Sequence, residues 1–264
     1  MTDYKSLFDL SGKTAVVTGS TLGIGLAIAE ALAAFGAKVA ISSRKQEKCD
    51  DVRDTINASG NAAEEAIAIP CNMSHMEDID NLVATAMNEL GRIDILVCNA
   101  AVNPHFGPIA SISEEVFDKT IETNVKNNLW LCNKVIPQMA ERKDGAVMIV
   151  SSVGGFKGHP NIGTYNIAKA ADMAIVRNLA VEWGPANIRV NAICPAVVKT
   201  KFAKALWEDP EVQKQASEVY PMRRLGEPED IAGIAVYLAS QAGAWTTGQS
   251  FIIDGGILAT GAGA

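Results

Sequence analysis

Short apolar runs rich in valine and isoleucine alternate along the chain with longer stretches of helical periodicity. The runs predict strands near residues 14–18, 39–43, 66–70, 95–99, 146–151, 189–194 and 250–254. The longer stretches predict helices near 24–35, 46–58, 76–90, 114–140, 164–183 and 228–240. Several strands are apolar nearly throughout, which is typical of strands covered on both faces. The alternation therefore predicts an α/β fold with a parallel sheet and right-handed crossovers.

Two irregular segments, near 100–113 and 195–226, interrupt this alternation. Long loops at the carboxyl ends of parallel strands are common ligand-binding segments. Because the sequence shows neither a repeat nor a linker, we predict one domain spanning residues 1–264.

Composition and charge narrow the range of partners. The net charge is −7 and no run of lysine or arginine exceeds two residues, so we expect neither nucleic acid nor membrane as a partner. The first residues lack the apolar core of a secretory signal. Five cysteines without a CxxC pair predict free thiols in a reducing, cytoplasmic location. Three widely spaced histidines suggest no metal site.

A glycine-rich turn follows the first predicted strand. The segment "AVVTGSTLGIGLAIAEALAAFG" places Gly19, Gly23 and Gly25 between this strand and an amphipathic helix. Glycines allow the backbone to turn tightly and approach a pyrophosphate, and a helix N-terminus favours anions. The turn predicts a dinucleotide site, although a plain strand-to-helix turn has the same elements.

Ordered motifs connect this turn to a known family. They are "TGSTLGIG" at 18–25, "CNAA" at 98–101, Ser152, "YNIAK" at 165–169, "IRVNAICPAVVKT" at 188–200 and "TGQSFIIDGG" at 247–256. Together they resemble the short-chain dehydrogenase/reductase family over nearly the whole chain. The resemblance implies a Rossmann-like, doubly wound, seven-stranded parallel sheet of order 3-2-1-4-5-6-7, with helices on both faces. It also implies a homotetramer.

Tyr165 and Lys169 are four residues apart, so on a helix they share one face. A unit charge at about 4 Å, at an effective dielectric near 20, contributes roughly 4 kcal/mol. This corresponds to about three pKa units, which would bring a phenol near neutrality. The resemblance implies that Tyr165 transfers a proton and that Lys169 activates it and binds the nicotinamide ribose. It further implies that Ser152 orients the substrate and that Asn124 joins a water-mediated proton relay.

Cofactor preference depends on the end of the second strand. Many NAD-preferring relatives carry an acidic residue there, whereas this chain has Ser43, Arg44 and Lys45. Because an arginine can bind a 2′-phosphate bidentately, we predict that NADP(H) is favoured over NAD(H). Leu22 stands where NADP-preferring relatives often carry a basic residue, and Arg44 as a solvated surface charge is the alternative.

The resemblance implies a set of cofactor contacts around the glycine turn and the strand ends: Gly19, Ser20, Leu22, Gly23, Ile24, Gly25, Ser43, Arg44, Lys45, Asn72, Met73, Asn99, Ala100, Ala101, Tyr165, Lys169, Pro195, Val198 and Thr200. Four positions depart from the family pattern. Asn72 replaces an aspartate, "CNAA" replaces NNAG, and Ala196 replaces a glycine after Pro195. We expect Ala196 to alter the turn that leads into the substrate loop.

The expected substrate loop, 197–226, and the segment after Ser152 contain many apolar and aromatic residues. The expected substrate contacts are Ser152, Phe156, His159, Tyr165, Phe202 and Trp207. These residues either line an apolar pocket or pack the loop and a subunit interface. We expect an oxidoreductase acting on a small carbonyl or alcohol. The alternatives are a 3-oxoacyl-thioester reductase and a non-catalytic NADP-sensing regulator.

Overall fold

A computed structural model describes residues 3–260, apart from the side chain of Ala205, so the predicted domain of 1–264 extends slightly beyond it at both ends. Seven parallel strands form one sheet in the order β3-β2-β1-β4-β5-β6-β7, which confirms the predicted fold class. The strands are β1 Thr14–Thr18, β2 Lys38–Ser42, β3 Ile67–Ala68, β4 Ile95–Cys98, β5 Gly145–Val150, β6 Ile188–Pro195 and β7 Ser250–Ile253.

Eight α-helices connect and cover the strands in the described chain. They are α1 Gly23–Ala34, α2 Gln46–Ala58, α3 Met76–Leu90, α4 Glu114–Ile121, α5 Asn127–Arg142, α6 Gly163–Trp183, α7 Pro210–Glu218 and α8 Glu229–Ala239. Two apolar clusters of buried side chains pack against the sheet, one including residues of α3, α5 and α6 and the other residues of α1 and α8. Apolar residues point to both faces of β1, β4 and β5, so burial on both sides explains their continuous apolar runs.

The predicted helix at 114–140 is divided. A π-helical segment, Glu122–Lys126, separates α4 from α5. Within it, the amide of Asn124 donates to the carbonyl of Val102 and accepts from its N–H, both at 2.8 Å. This segment places a polar side chain against the loop after β4, which a regular helical pattern does not indicate. π-Helical turns occur often at functional sites.

The segment predicted as irregular, 195–226, contains helix α7. Its start has a clear local cause, because the carboxylate of Asp209 accepts hydrogen bonds from the N–H groups of Glu211 and Val212. Pro210 occupies the first helical position, where its missing N–H costs nothing. The helix therefore follows from capping chemistry in a stretch that lacks a strong apolar period.

Candidate active site

The glycine turn lies at the carboxyl edge of the sheet, between β1 and α1. Gly19 and Gly23 have φ angles of +66° and +59°, which favour glycine. A Cβ on Gly25 would lie 2.4 Å from Nδ2 of Asn99 and 2.4 Å from the carbonyl oxygen of Gly19. A Cβ on Gly23 would lie 2.8 Å from a methyl carbon of Thr200. The three glycines thus leave a cradle of bare backbone at a helix N-terminus, which fits a dinucleotide phosphate.

Asn99 fixes this cradle from the neighbouring strand. Its Nδ2 donates to the carbonyl oxygens of Thr18 at 2.9 Å and of Gly19 at 3.2 Å. The Thr18 hydroxyl in turn accepts from the N–H groups of Asn99 and Ala100. Ala101 follows with no left-handed φ, so alanine is accommodated where relatives have glycine. Asn99 therefore holds the glycine turn in place.

Two residues predicted as cofactor contacts have their side chains elsewhere. Ser20 is fully buried, and its hydroxyl donates to the carbonyl of Val17 and accepts from the N–H of Ser42. Met73 is also buried and packs into the core cluster beside α3. We therefore expect these two residues to contact a cofactor through their backbone atoms alone. Both residues were predicted from their positions in a motif. Such a position does not show whether a side chain lines the cofactor site or packs in the core beneath it.

Residues on the rim of the glycine turn and of the neighbouring strand end are more accessible. Leu22 is exposed beside the N-terminus of α1, and Ile24 is half-buried in its first turn. Asn72 is half-buried after β3, where its side-chain oxygen accepts from the N–H of Ser74 at 3.2 Å. That contact uses one lone pair and leaves the second free for a ligand donor.

At the end of β2, Ser43 is half-buried and its N–H donates to the sulfur of Cys49 at 3.2 Å. Arg44 and Lys45 are exposed just before α2. Within residues 3–260, neither forms an ion pair with an acidic side chain. Both cations are therefore available to an anionic group at this edge of the sheet.

Tyr165 and Lys169 lie in the first half of α6 and share a face, as predicted. The Lys169 nitrogen lies 5.6 Å from the centre of the Tyr165 ring. Lys169 is only 1% exposed, and its Nζ donates to the carbonyl of Val150 at 2.9 Å and to Oδ2 of Asp172 at 3.0 Å. An ammonium has three donors, so one remains for a ligand. The buried carboxylate of Asp172 was not anticipated from the sequence.

Asp172 changes the electrostatics of the phenol. Burial raises the pKa of Tyr165, the Lys169 charge lowers it, Asp172 raises it and the Ser152 hydroxyl lowers it, with a net result above the ordinary value. The expectation that Lys169 alone brings this phenol near neutrality is therefore not met in the free protein. The physical reason is that burial and Asp172 together outweigh the ammonium.

Ser152 follows β5 and begins a short turn against the end of β6. Its hydroxyl accepts from the N–H of Gly154 at 3.0 Å and donates weakly to the carbonyl of Pro195 at 3.5 Å. The adjacent Ser151 points inward, where its hydroxyl donates to the backbone carbonyl of Lys169 at 2.7 Å. The alternation of side chains along the strand end therefore places Ser152 on the side of Tyr165.

Both polar atoms of the Asn124 side chain bond to Val102, and its backbone carbonyl has a separate partner. That carbonyl accepts from Nδ2 of Asn128 at 2.7 Å. Asn128 is buried, and it lies beside Asp172, where its side chain lowers the carboxyl pKa. Asn128 thus links the π-helical segment to the polar cluster on α6, and sequence reasoning missed it.

The predicted substrate contacts separate into two groups. The Phe202 ring lies 6.0 Å from that of Tyr165, centre to centre, so Phe202 forms a wall of the site. Trp207 donates from Nε1 to the carbonyl of Thr200 at 2.8 Å, which anchors the loop. Phe156 and His159 are exposed in the turn after Ser152, and no described contact joins them to Tyr165.

The strand-to-loop turn after β6 accommodates its alanine. Ala196 has no left-handed φ, and its N–H donates to the carbonyl of Ile253 at 3.2 Å. Pro195 ends the strand, and the buried Val198 pairs with Gly226 across the base of the loop. The turn therefore holds Ala196 without a strained backbone.

Comparison with known proteins agrees with this geometry. The family model described as enoyl-(acyl carrier protein) reductase matches residues 19–258. The dehydrogenase/reductase SDR family member 4 of Sus scrofa is 45% identical over 247 residues, covering 94% of this chain and 88% of the relative. The chain belongs to the short-chain dehydrogenase/reductase family. Members of this family are dehydrogenases and reductases that bind nicotinamide cofactors.

Other members of the family show the range of what it binds. The human dehydrogenase/reductase SDR family member 2, named as mitochondrial, is 39% identical and covers 93% of this chain and 86% of its own length. A putative short-chain alcohol dehydrogenase from Sinorhizobium meliloti has a TM-score of 0.90 at 36% identity, covering 96% of this chain and 99% of its own. A 7α-hydroxysteroid dehydrogenase solved with NADH and a 7-oxo bile acid has a TM-score of 0.91 at 32% identity, covering 97% and 98%.

The described residues were also compared with the requirements of a membrane-spanning helix and of a metal site. No helix within residues 3–260 combines the length and apolarity that a membrane crossing needs. In the same residues, His, Cys, Asp and Glu side chains form no group of three suited to a metal ion. All five cysteines are buried free thiols.

Proposed function

We propose that this protein transfers hydride reversibly between NADP(H) and the carbonyl or secondary alcohol of a small, largely apolar substrate. A bound nicotinamide supplies the hydride chemistry. The observation that carries the proposal is the grouping of Tyr165, Lys169 and Ser152 at the carboxyl edge of the sheet, beside the glycine cradle. A phenol held there can give a proton to a substrate oxygen, or take one from it.

Each group has a distinct proposed role. Ser152 orients the substrate oxygen, and Tyr165 transfers the proton to it. Lys169 keeps one ammonium donor for the nicotinamide ribose, because its other two are used by Val150 and Asp172. Phe202 supports an apolar substrate, since its ring packs near that of Tyr165 and is 56% exposed.

The preference for NADP(H) rests on Arg44 and Lys45. Both are exposed at the end of β2, and β2 carries no carboxylate there. An arginine binds a 2′-phosphate through paired hydrogen bonds, whereas a carboxylate would repel it. A gluconate 5-dehydrogenase from Burkholderia cenocepacia, solved with NADP and tartrate, has a TM-score of 0.91 at 25% identity, covering 97% of this chain. That complex supports the proposal.

The test uses purified protein with NADPH and NADH and a panel of ketones, aldehydes and secondary alcohols. We expect tighter NADPH binding than NADH binding, and a loss of that difference in Arg44→Ala. Lys48→Ala, in an exposed ion pair with Asp51, is the matched control. Equal or tighter NADH binding by the unmodified protein would contradict the NADP(H) proposal.

A 3-oxoacyl-thioester reductase is the second candidate, favoured by the description of the matching family model. Turnover of an acyl thioester at a higher kcat/KM than simple ketones would support it. If the protein is instead a nucleotide-sensing regulator, it should bind the cofactor and turn over no carbonyl.

We also propose that the protein is a homotetramer located in the cytoplasm. Exposed apolar side chains on α5 and α6, Trp130, Ile167 and Val181, support subunit contacts there.

A further inference from the structure

A buried carboxylate lies behind the proposed catalytic pair. Asp172 is 0% exposed, one helical turn beyond Lys169 on α6. Its Oδ2 accepts a hydrogen bond from the ammonium of Lys169 at 3.0 Å. Its Oδ1 has no hydrogen-bond partner among the described residues. Oδ1 of the neighbouring Asn128 also has no partner there. A buried charge of this kind is costly to keep, so its place beside the site calls for a role in the chemistry.

Buried thiols lie around Asp172. Cys98 from β4 and Cys194 from β6 face the cluster, and Cys132 from α5 contacts Cys98, with 4.0 Å between the sulfurs. A side-chain contact with Cys132 and burial raise the pKa of Cys98 well above its ordinary value. Burial raises the pKa of Cys194 to about 11. Asp172 is therefore the anion that acts on the tyrosine and lysine within the described cluster.

The charges of the cluster decide how easily it loses a proton. With a neutral phenol, an ammonium and a carboxylate, the net charge is zero, and loss of one proton makes it negative. Without the carboxylate, the same loss takes the cluster from positive to neutral. Neutralising Asp172 therefore makes proton loss easier, whichever of Tyr165 or Lys169 releases the proton.

We propose that Asp172 is a positioning residue that holds Lys169 in place and balances its charge, so that Tyr165 keeps its proton at neutral pH and acts as the proton donor for carbonyl reduction. This inference rests on the oxidoreductase activity proposed above. Asp172 would thereby favour the protonated form of Tyr165, which the pairing of Tyr165 with Lys169 alone would not do.

The expected size of the effect follows from the helix. Residues seven positions apart, such as Tyr165 and Asp172, lie about 10 Å apart along the axis. At that distance and an effective dielectric near 20, one charge shifts a pKa by about one unit. Direct contact between Asp172 and Lys169 acts on the pair in the same direction, so about one unit is a lower bound.

The test is the pH dependence of kcat in both directions for Asp172→Asn, at saturating cofactor. We expect the inflection to move to lower pH by about one unit or more. Asp172→Glu, which retains the charge, should keep the original profile. Asp94→Asn is the matched control, because Asp94 is a buried carboxylate paired with Arg92 at the start of β4. An unchanged or upward-moving inflection in Asp172→Asn would overturn the proposal.

A second measurement needs no turnover and no folded Asp172 variant. The ultraviolet absorbance of tyrosinate is titrated in the free protein and in Tyr165→Phe, and the difference isolates Tyr165. We expect a midpoint above the ordinary value of about 10. A midpoint below that value would overturn the proposal even if the protein were fully active. Conversely, a raised midpoint in a protein that reduces no carbonyl would sink the proposed activity and leave the electrostatic assignment intact.

Discussion

Replacing Lys169 by methionine tests whether the buried ion pair behind the tyrosine exists. The substitution keeps most of the aliphatic stem and removes the ammonium that lies 3.0 Å from Oδ2 of Asp172. Asp172 is 0% exposed, so its carboxylate would lose its cationic partner without gaining solvent. Removing one member of a buried pair typically costs about 3–5 kcal/mol. We predict a loss of that size in the free energy of unfolding at pH 8.

The loss should depend on pH in a definite direction. Burial already raises the pKa of Asp172, and without Lys169 the folded-state pKa rises further. A carboxyl with a raised folded-state pKa costs no stability below its unfolded value of about 3.9, where both states are protonated. The penalty grows as the pH rises from that value to the folded-state pKa and is then constant. The variant should therefore lie closer to the unmodified protein at pH 5 than at pH 8.

Urea unfolding, followed by circular dichroism at a fixed protein concentration, measures both effects. Lys169→Met combined with Asp172→Leu removes both charges and should recover much of the lost stability. Lys204→Met is the control, because Lys204 forms an exposed ion pair with Glu208 and should change stability by less than about 1 kcal/mol. The reasoning would be refuted by a Lys169→Met variant within about 1 kcal/mol of the unmodified protein at pH 8.

Two further predictions concern the cradle and the loop base. Gly25→Ala should weaken cofactor binding and lower the Tm, because its Cβ would lie 2.4 Å from Nδ2 of Asn99; fluorescence titration and calorimetry measure these effects, and unchanged values would contradict the cradle. Contact with Arg224 lowers the pKa of Asp230 to about 2. Because solvent screens this exposed ion pair, Asp230→Asn should cost only about 1 kcal/mol at pH 7, less than the full pKa shift would imply. That stability is present above the unfolded pKa of about 3.9 and is lost as the pH falls through about 2, so the unfolding curves of variant and unmodified protein should converge in acid.

Much of the fold could be predicted from the sequence, because continuous apolar runs and helical periodicity each depend only on residues close together in the chain. The continuous apolar runs of β1 and β4 and the amphipathic stretch of α3 each identify one element and its type. The positions of Tyr165 and Lys169 on one face needed only the helical period. The strand order came from the resemblance to a family, since periodicity does not specify which strands are neighbours.

The remaining features depend on contacts between distant segments. The π-helical segment is set by Asn124 bonding to Val102, twenty-two residues earlier in the chain. Asp172 falls within "AKAADMAIV", a stretch rich in small residues that indicates helix packing. Its role becomes visible only where Lys169 and Asn128 approach it from two helices. Ser20 shows the reverse case, where a motif position predicted a ligand contact and the structure buries its side chain.

The central claim is that Tyr165 transfers the proton in a nicotinamide-dependent oxidoreduction, and Tyr165→Phe tests it most directly. The measurement compares kcat and the cofactor dissociation constant with those of the unmodified protein, on a carbonyl substrate that the latter turns over. We predict a fall in kcat of at least about a hundredfold, with cofactor binding within about twofold, because the phenol moves a proton and holds little of the dinucleotide. A variant that keeps more than about a tenth of the original kcat would contradict the claim.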